Sequence, residues 1–238
     1  MRIKWRGLEL PSRVATDRAT LTDTYGKFTA EPFEAGYGHT VGDSLRRVLL
    51  PSVEGAAITA IKINGAQHEF GTLPGVFEAD TDIVLNHTRI KFKADDPEMR
   101  QLSLNVNKEG EVTAGDISLV QGYEVLNPKQ VICTLYKKHK FEAELDVRVG
   151  RGFATGDENK RPDQAIGLIP IDSIFSPVTR VKYAVENTRV GQRTDYDKLV
   201  LEVWTDGRLT PADALLQASA ILRHHPDVFG NFNEDVIQ

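Results

Sequence analysis

Strand-like segments occupy the middle of this sequence, whereas its clear helices lie toward the two ends. Residues 101–107 and 140–150 alternate apolar and polar side chains, which is typical of half-buried strands. Helical spacing of apolar residues is found in 40–50 and again from residue 211. This uneven distribution predicts an α+β chain in which a mostly β domain is inserted into another domain.

The helix predicted over 40–50 is apolar on two faces. Its main stripe has helical spacing and consists of Val41, Leu45, Val48 and Leu49. On the far side, Leu50 lies beside Arg46 and Arg47. One interpretation is a second interaction surface, since two apolar faces usually serve two partners. The alternative is a surface leucine covered by arginine stems, with Asp43 pairing to both arginines.

Capping and turn signals divide the chain further. Thr40 and Asp43 have the spacing of a capping box at the start of the first helix. Asn64-Gly65 predicts a tight hairpin, and Lys108-Glu109-Gly110 predicts another turn. Segment 151–165 combines glycine, proline and charge without any periodicity, so we expect a mobile surface loop there.

The last helix has the clearest start in the chain. Thr210 suits the N-cap, Pro211 the first helical position and Asp213 the third. Its apolar stripe consists of Ala214, Leu215, Ala218, Ile221 and Leu222. Pro226 is expected to end or kink this helix at His225.

Composition excludes several classes of protein. The 238 residues carry a formal net charge of -5, which argues against a general nucleic-acid coat or a binder of anionic membranes. No apolar run approaches the roughly 18 residues of a spanning helix, so we expect a cytoplasmic protein. Cys133 is the one cysteine and lies within the apolar run VICTL, which predicts a buried, inert thiol.

Two patterns resemble catalytic sites. Gly36, Gly38 and Gly42 precede and enter the first helix like a relaxed dinucleotide cradle, but a parallel strand before them is lacking. The structural interpretation is a tight entry that lets the helix lie close to a neighbour. Asp195 and Asp197 have the spacing of a magnesium pair, yet they lie beside basic residues and more often indicate a charge-paired loop.

No other pattern indicates chemistry. The six histidines form no metal-ligand motif, and no serine lies in the context of a nucleophile elbow. We therefore predict no catalytic residue, no metal ligand and no cofactor. An enzyme that uses the glycine-rich turn or the aspartate pair stays open as an alternative.

Several sequence blocks together resemble a known family. The blocks are GYGHTVGDSLRRVLL, HEFGTLPGVFEADTDIVLN, NPKQVICTL, VGRGF and QRTDYDKLVLEVW, and they occur in the family's order. The chain resembles, over nearly its whole length, the amino-terminal domain of the alpha subunit of bacterial RNA polymerase. The resemblance implies a discontinuous dimerisation domain, with an antiparallel sheet and two packing helices, from 1–55 and 179–238. It also implies an inserted mostly β domain from 56–178.

The resemblance further implies a non-catalytic homodimer that carries the beta and beta-prime subunits. The dimer contact would use Val41, Leu45, Val48, Leu49, Leu215, Ala218, Ile221 and Leu222. The surface for the beta subunit would include Arg46, Arg47, Leu50, His68, Glu69 and Phe70. The surface for the beta-prime subunit would include Arg151, Arg180 and Lys182.

The same resemblance limits the expected contacts. Sigma factor and DNA would be reached only through the assembled enzyme, in the bacterial cytoplasm or a plastid stroma. Relatives usually continue into a small domain that binds DNA and activators, so we assign neither contact to these residues. A stand-alone dimeric interaction module is the second alternative.

Overall fold

The computed structural model describes residues 7–66, 70–95, 98–162 and 164–230. The chain divides into two compact units, each with its own core. We call Met1–Val53 with Pro177–Gln238 the terminal unit, and Glu54–Ser176 the inserted unit. Their bounds differ by two residues from those that the resemblance implied. Antiparallel sheets and few helices confirm the α+β class.

The described residues contain these elements in chain order. The helices are α1 (Tyr37–Ser52), α2 (Asp80–Thr88), α3 (Gly156–Asn159) and α4 (Pro211–Gly230). The strands are β1 (Val14–Thr16), β2 (Tyr25–Phe33), β3 (Glu54–Ile63), β4 (Phe92–Ala94), β5 (Arg100–Thr113), β6 (Ile117–Ser118), β7 (Tyr123–Val125), β8 (Val131–Arg151), β9 (Phe153–Ala154), β10 (Leu168–Pro170), β11 (Ser173–Ile174), β12 (Val178–Val190) and β13 (Arg193–Thr205).

The terminal unit is a four-stranded antiparallel sheet with two helices. Its strand order is β1-β2-β13-β12, so the first and last parts of the chain share one sheet. Helices α1 and α4 pack against each other, and their apolar residues share one core with the sheet. That core includes Phe28, Leu45, Leu49, Leu201, Val203, Ala214 and Ala218.

Helix α1 begins three residues earlier than predicted and lies unusually close to the sheet. Its N-cap is Gly36, and Thr40 lies inside the helix with its hydroxyl donating to the Gly36 carbonyl. The predicted capping box is therefore wrong. A Cβ atom on Gly42 would lie 2.7 Å from Cδ2 of Tyr183 on β12, which confirms that this glycine permits close packing.

The start of α4 is as predicted, but its end is not. Thr210 caps the helix, because its hydroxyl oxygen accepts a hydrogen bond from the Asp213 amide at 3.2 Å. The helix continues past Pro226 to Gly230, so the predicted stop at His225 is wrong. A proline removes one main-chain amide, and the helix resumes beyond it.

The inserted unit is built on a seven-stranded sheet. The strand order is β6-β5-β8-β3-β4-β7, and β10 also pairs with β3. The long β8 carries Phe141, Ala143, Leu145 and Val147 into the core, as the alternation predicted. Asn64-Gly65 does form a turn, but the predicted hairpin is wrong, since β3 pairs with β8, β4 and β10.

One further prediction in the inserted unit is wrong, and another holds in part. Strand β5 runs through Lys108–Gly110, where the pairing with β8 shifts register instead of turning. The described residues of segment 151–165 lie at the surface as predicted, apart from the buried Asn159, but they include β9 and α3. The Asn159 amide donates to the Ile171 carbonyl at 2.7 Å and to Ser173 Oγ at 2.8 Å, so tertiary contacts anchor α3.

One histidine lies in the core of the inserted unit. His87 on α2 is fully buried, and its Nδ1 donates to the Ile83 carbonyl at 2.7 Å. Within the described residues its Nε2 has no hydrogen-bond partner. Burial lowers the pKa of His87 from 6.5 to about 4, so the ring is neutral in the folded unit at pH 7.

This histidine makes the stability of the inserted unit depend on pH. Below pH 6.5 His87 is protonated in the unfolded chain but stays neutral in the folded unit. The free energy of unfolding therefore falls as the pH falls. Between pH 7.5 and 5 we expect a loss of about 2 kcal/mol in the free energy of unfolding. The free energy of unfolding at each pH is measured by urea unfolding, with hydrogen exchange of the β8 amides as the probe. His87→Leu should flatten this dependence, and an unchanged slope in that variant would contradict the assignment.

Candidate interaction surfaces

The glycine-rich entry to α1 is filled by a carboxylate from the same chain. Asp197 on β13 is buried, and its Oδ2 accepts hydrogen bonds from the amides of Gly36 at 2.8 Å and Gly38 at 3.1 Å. These are the amides that a nucleotide phosphate would need at a helix N-terminus. The geometry therefore favours a structural helix cap over a nucleotide cradle.

The two aspartates of the D-x-D pair serve different purposes. Asp195 is exposed and binds the Arg193 guanidinium through two hydrogen bonds, at 3.1 and 2.9 Å. Hydrogen bonding from Arg193 lowers the pKa of Asp195. Asp197 instead holds α1, so the two carboxylates do not share one ligand. Within the described residues, no group of three or more His, Cys, Asp or Glu side chains is placed to hold a metal ion.

The single thiol is inert, as predicted. Cys133 has no exposed surface and lies in the core of the inserted unit. Burial raises the pKa of its thiol to about 12, which leaves almost no thiolate at pH 7.

Part of the predicted dimer stripe lies inside the chain's own core. Leu49 and Ala218 have no exposed surface, and Leu45 is 9% exposed. Leu49 and Ala218 therefore leave no accessible surface of their own for a second copy, and the predicted dimer contact depends on the other members of the set. The partly exposed members of the set are Val41, Val48, Leu215, Ile221 and Leu222.

The apolar stripe of α4 extends beyond the core that it covers. Ala214 and Ala218 are fully buried and Leu222 is partly buried, each one helical turn after the last. Phe229, seven residues after Leu222, falls on the same face but is 80% exposed. Sequence analysis missed Phe229, although its i+7 spacing from Leu222 was a usable signal.

A small apolar hollow of about 90 Å³ opens on the terminal unit. Leu45 of α1 and Leu215 of α4 line it, together with Val14 of the edge strand β1. Val14 is 57% exposed, so the hollow is accessible from solvent. Its size suits part of an apolar side chain.

Arg47 is the most exposed residue of the arginine pair on α1. Its side chain is 78% exposed, and its Nε donates to Asp43 Oδ2 at 2.8 Å. Arg46 lies 4.0 Å from the same carboxylate, and Leu50 beyond them is 37% exposed. Asp43 thus orients a guanidinium whose remaining donors face water, beside an accessible leucine.

The other predicted residues for the beta subunit lie in the inserted unit. Phe70 is 76% exposed. His68 and Glu69 lie outside the described residues.

The three residues predicted for the beta-prime subunit all have partners in the chain. In the terminal unit, the Arg180 guanidinium stacks 4.7 Å from the ring centre of Trp204, and Lys182 Nζ lies 3.2 Å from Glu202 Oε1. In the inserted unit, Arg151 Nε donates to Glu54 Oε1 at 3.0 Å. Sequence analysis missed Trp204, which presents an exposed cation–π pair with Arg180 on the sheet face.

Comparison with known proteins identifies the family. The model of the RNA polymerase Rpb3/RpoA insert domain matches residues 61–176. The DNA-directed RNA polymerase subunit alpha of Rhodopirellula baltica is 50% identical over 234 residues, which cover 98% of this chain and 71% of the relative. The chain belongs to the family of bacterial RNA polymerase alpha subunits. This confirms the resemblance found in the sequence.

Other alpha subunits are similarly close. That of Moorella thermoacetica is 51% identical over 216 residues, which cover 91% of this chain and 69% of the relative. That of Symbiobacterium thermophilum is 49% identical over 229 residues, which cover 96% of this chain and 72% of the relative. In the described part of this alpha-subunit chain, no helix is long and apolar enough to cross a membrane.

The different tasks of the two aspartates can be separated by mutation. Asp197→Ala removes the cap of α1 and leaves the amides of Gly36 and Gly38 without their acceptor, so we expect the terminal unit to lose about 1–2 kcal/mol. Asp195→Ala is the matched control and should change stability little, because that side chain is exposed. Urea unfolding followed by tryptophan fluorescence measures both. Equal losses in the two variants would contradict the capping role.

Proposed function

We propose that this chain is the non-catalytic alpha subunit of a bacterial DNA-directed RNA polymerase. It forms a homodimer that serves as the assembly platform for the beta and beta-prime subunits, and nucleotidyl transfer belongs to the whole complex. The observation that carries this proposal is the apolar stripe of α4, which continues to Phe229 beyond the chain's own core. Family membership supports the polymerase as the assembly.

The stripe fits an isologous contact with a second copy. In such a contact both copies use the same surface, so the Phe229 side chain of each copy would be buried against the other copy. Burial of a phenylalanine side chain contributes roughly 1.5–3 kcal/mol. The hollow lined by Leu45 of α1 and Leu215 of α4 offers a separate apolar site for a partner side chain.

Arg46, Arg47 and Leu50 form the proposed surface for the beta subunit, with Phe70, His68 and Glu69 as its proposed part in the inserted unit. An exposed arginine beside an apolar side chain suits an interface hot spot, because the guanidinium can bind a carboxylate in two places. Asp43 holds Arg47 through one nitrogen only, which leaves the other donors for a partner.

The proposed surface for the beta-prime subunit includes Arg180 and Lys182 on β12 and Arg151 on β8. The stacked pair of Arg180 and Trp204 supports this assignment, since arginine and tryptophan are both enriched in interface hot spots. Sigma factor and DNA would be reached only through the assembled enzyme, and the protein would act in the bacterial cytoplasm or a plastid stroma.

Dimer formation should depend on the extended stripe of α4. Phe229→Glu places a charge in the proposed contact, so we expect the dimer to dissociate at least tenfold more readily, which corresponds to about 1.4 kcal/mol. Leu216→Glu is the matched control, because Leu216 is 70% exposed but lies on the opposite side of the helix. Light scattering over a dilution series measures the dimer. Equal weakening by both variants would contradict the assignment of this face.

Capture of the beta subunit should depend on Arg47. Arg47→Ala should leave the dimer intact but reduce recovery of co-expressed beta subunit about tenfold or more, in line with a hot-spot loss of about 2 kcal/mol. Arg18→Ala, which removes an exposed arginine elsewhere in the terminal unit, is the control. Size-exclusion chromatography with light scattering separates dimer from complex. Undiminished recovery with Arg47→Ala would refute this surface.

A further inference from the structure

The sheet of the terminal unit ends in an unusually long edge strand. Natural proteins keep edge strands short, because unpaired main-chain groups invite pairing with another chain. Other outermost strands in the described residues are short: β1 and β7 have three residues each and β6 has two, although β6 pairs only with Ser103 and Leu104 of β5. Strand β12 has 13 residues and pairs only with β13.

Most of this edge is regular. From Arg180 to Thr188 every residue of β12 is in continuous register with β13, and the register shifts lie only at the two ends. No proline interrupts the segment. In an antiparallel strand, alternate residues direct their main-chain groups away from the neighbour. Within the described residues, these outward groups between Arg180 and Thr188 bond no other main-chain segment.

The side chains of β12 define what kind of strand could pair with it. Val181 is buried and Tyr183 and Val185 are half-buried, and α1 packs on this side of the strand. Arg180, Lys182, Ala184 and Glu186 alternate with them and are exposed on the other side. A paired segment would therefore need apolar residues on one face and polar residues on the other.

The charged side chains of β12 indicate which charge a pairing segment should carry. Lys182 and Glu186 are already paired with Glu202 and Lys198 on β13, at 3.2 Å in both cases. The Arg180 guanidinium stacks on Trp204, and among the described residues no carboxylate lies within ion-pair distance of it. An acidic residue of the pairing segment opposite Arg180 would form an ion pair with it.

We propose that β12 takes up an extended segment of the beta-prime subunit through main-chain hydrogen bonds, as an added strand. The segment alternates apolar with polar residues and carries an acidic residue at the Arg180 end. This inference rests on the proposed function and specifies how one of its surfaces binds. Strand addition draws its affinity from main-chain bonds and its specificity from alternate side chains.

A second copy of this chain is the less suitable occupant. The proposed stripe contact of α4 would already provide one closed contact between copies. A second self-contact at β12 would join dimers to one another, either as a closed tetramer or as an open-ended assembly. An unlike subunit completes the edge without such growth.

Hydrogen exchange at single-residue resolution tests the proposal. The homodimer is measured alone and in the complex with co-expressed beta and beta-prime subunits. We expect alternate amides between Arg180 and Thr188 to exchange at least tenfold more slowly in the complex. The intervening amides, which bond β13, should be protected in both states and are the internal control.

Three other results of this experiment would contradict strand addition or the proposed function. If the complex forms but the outward amides exchange as fast as in the free dimer, strand addition is wrong and the proposed function stands. If these amides are already protected in the free dimer, and lose protection on dilution, a second copy occupies the edge. If chromatography shows that no complex forms, the proposed function fails, and this inference with it.

Discussion

The terminal unit depends on the contact between Asp197 and the start of α1. A helix begins with amides that have no partner within the helix, and no side chain of the first turn accepts them here. The Asp197 carboxylate, which comes from the middle of the sheet, accepts two of them. Gly38 makes room for it, since a Cβ atom there would lie 3.0 Å from Oδ2. This contact fixes α1 over the sheet and thereby sets which of its residues face outward.

Local signals in the sequence predicted local structure well. The cap and first proline of α4 specify its start with side chains that are all within four residues. The alternation along β8, β12 and β13 predicted strands, because the period of two is fixed by the pleat. The family resemblance, confirmed by relatives about 50% identical, added what no local pattern carries: how the two ends of the chain combine.

The errors arose where distant residues decide the structure. Segment 151–165 has no periodicity, yet the buried amide of Asn159 and the carbonyl of Ile171 order it. The D-x-D pair suggested a loop, whereas Asp197 lies in a strand and caps a helix 160 residues away in sequence. Helical periodicity identified the apolar face of α4 but not how far the core beneath it extends. It therefore could not separate Ala218, which is fully buried, from the exposed Phe229.

A symmetric dimer presents every surface twice, and this constrains the proposed assembly. Both copies offer the same Arg47 surface and the same β12 edge, so neither surface alone can decide which copy binds beta and which binds beta-prime. We expect the choice between the two copies to be made when the second large subunit binds. That subunit can contact the large subunit that is already bound, or use the part of the dimer that the first one leaves free. Strand addition suits such a step, because main-chain bonds accept many sequences and leave the choice to the flanking side chains.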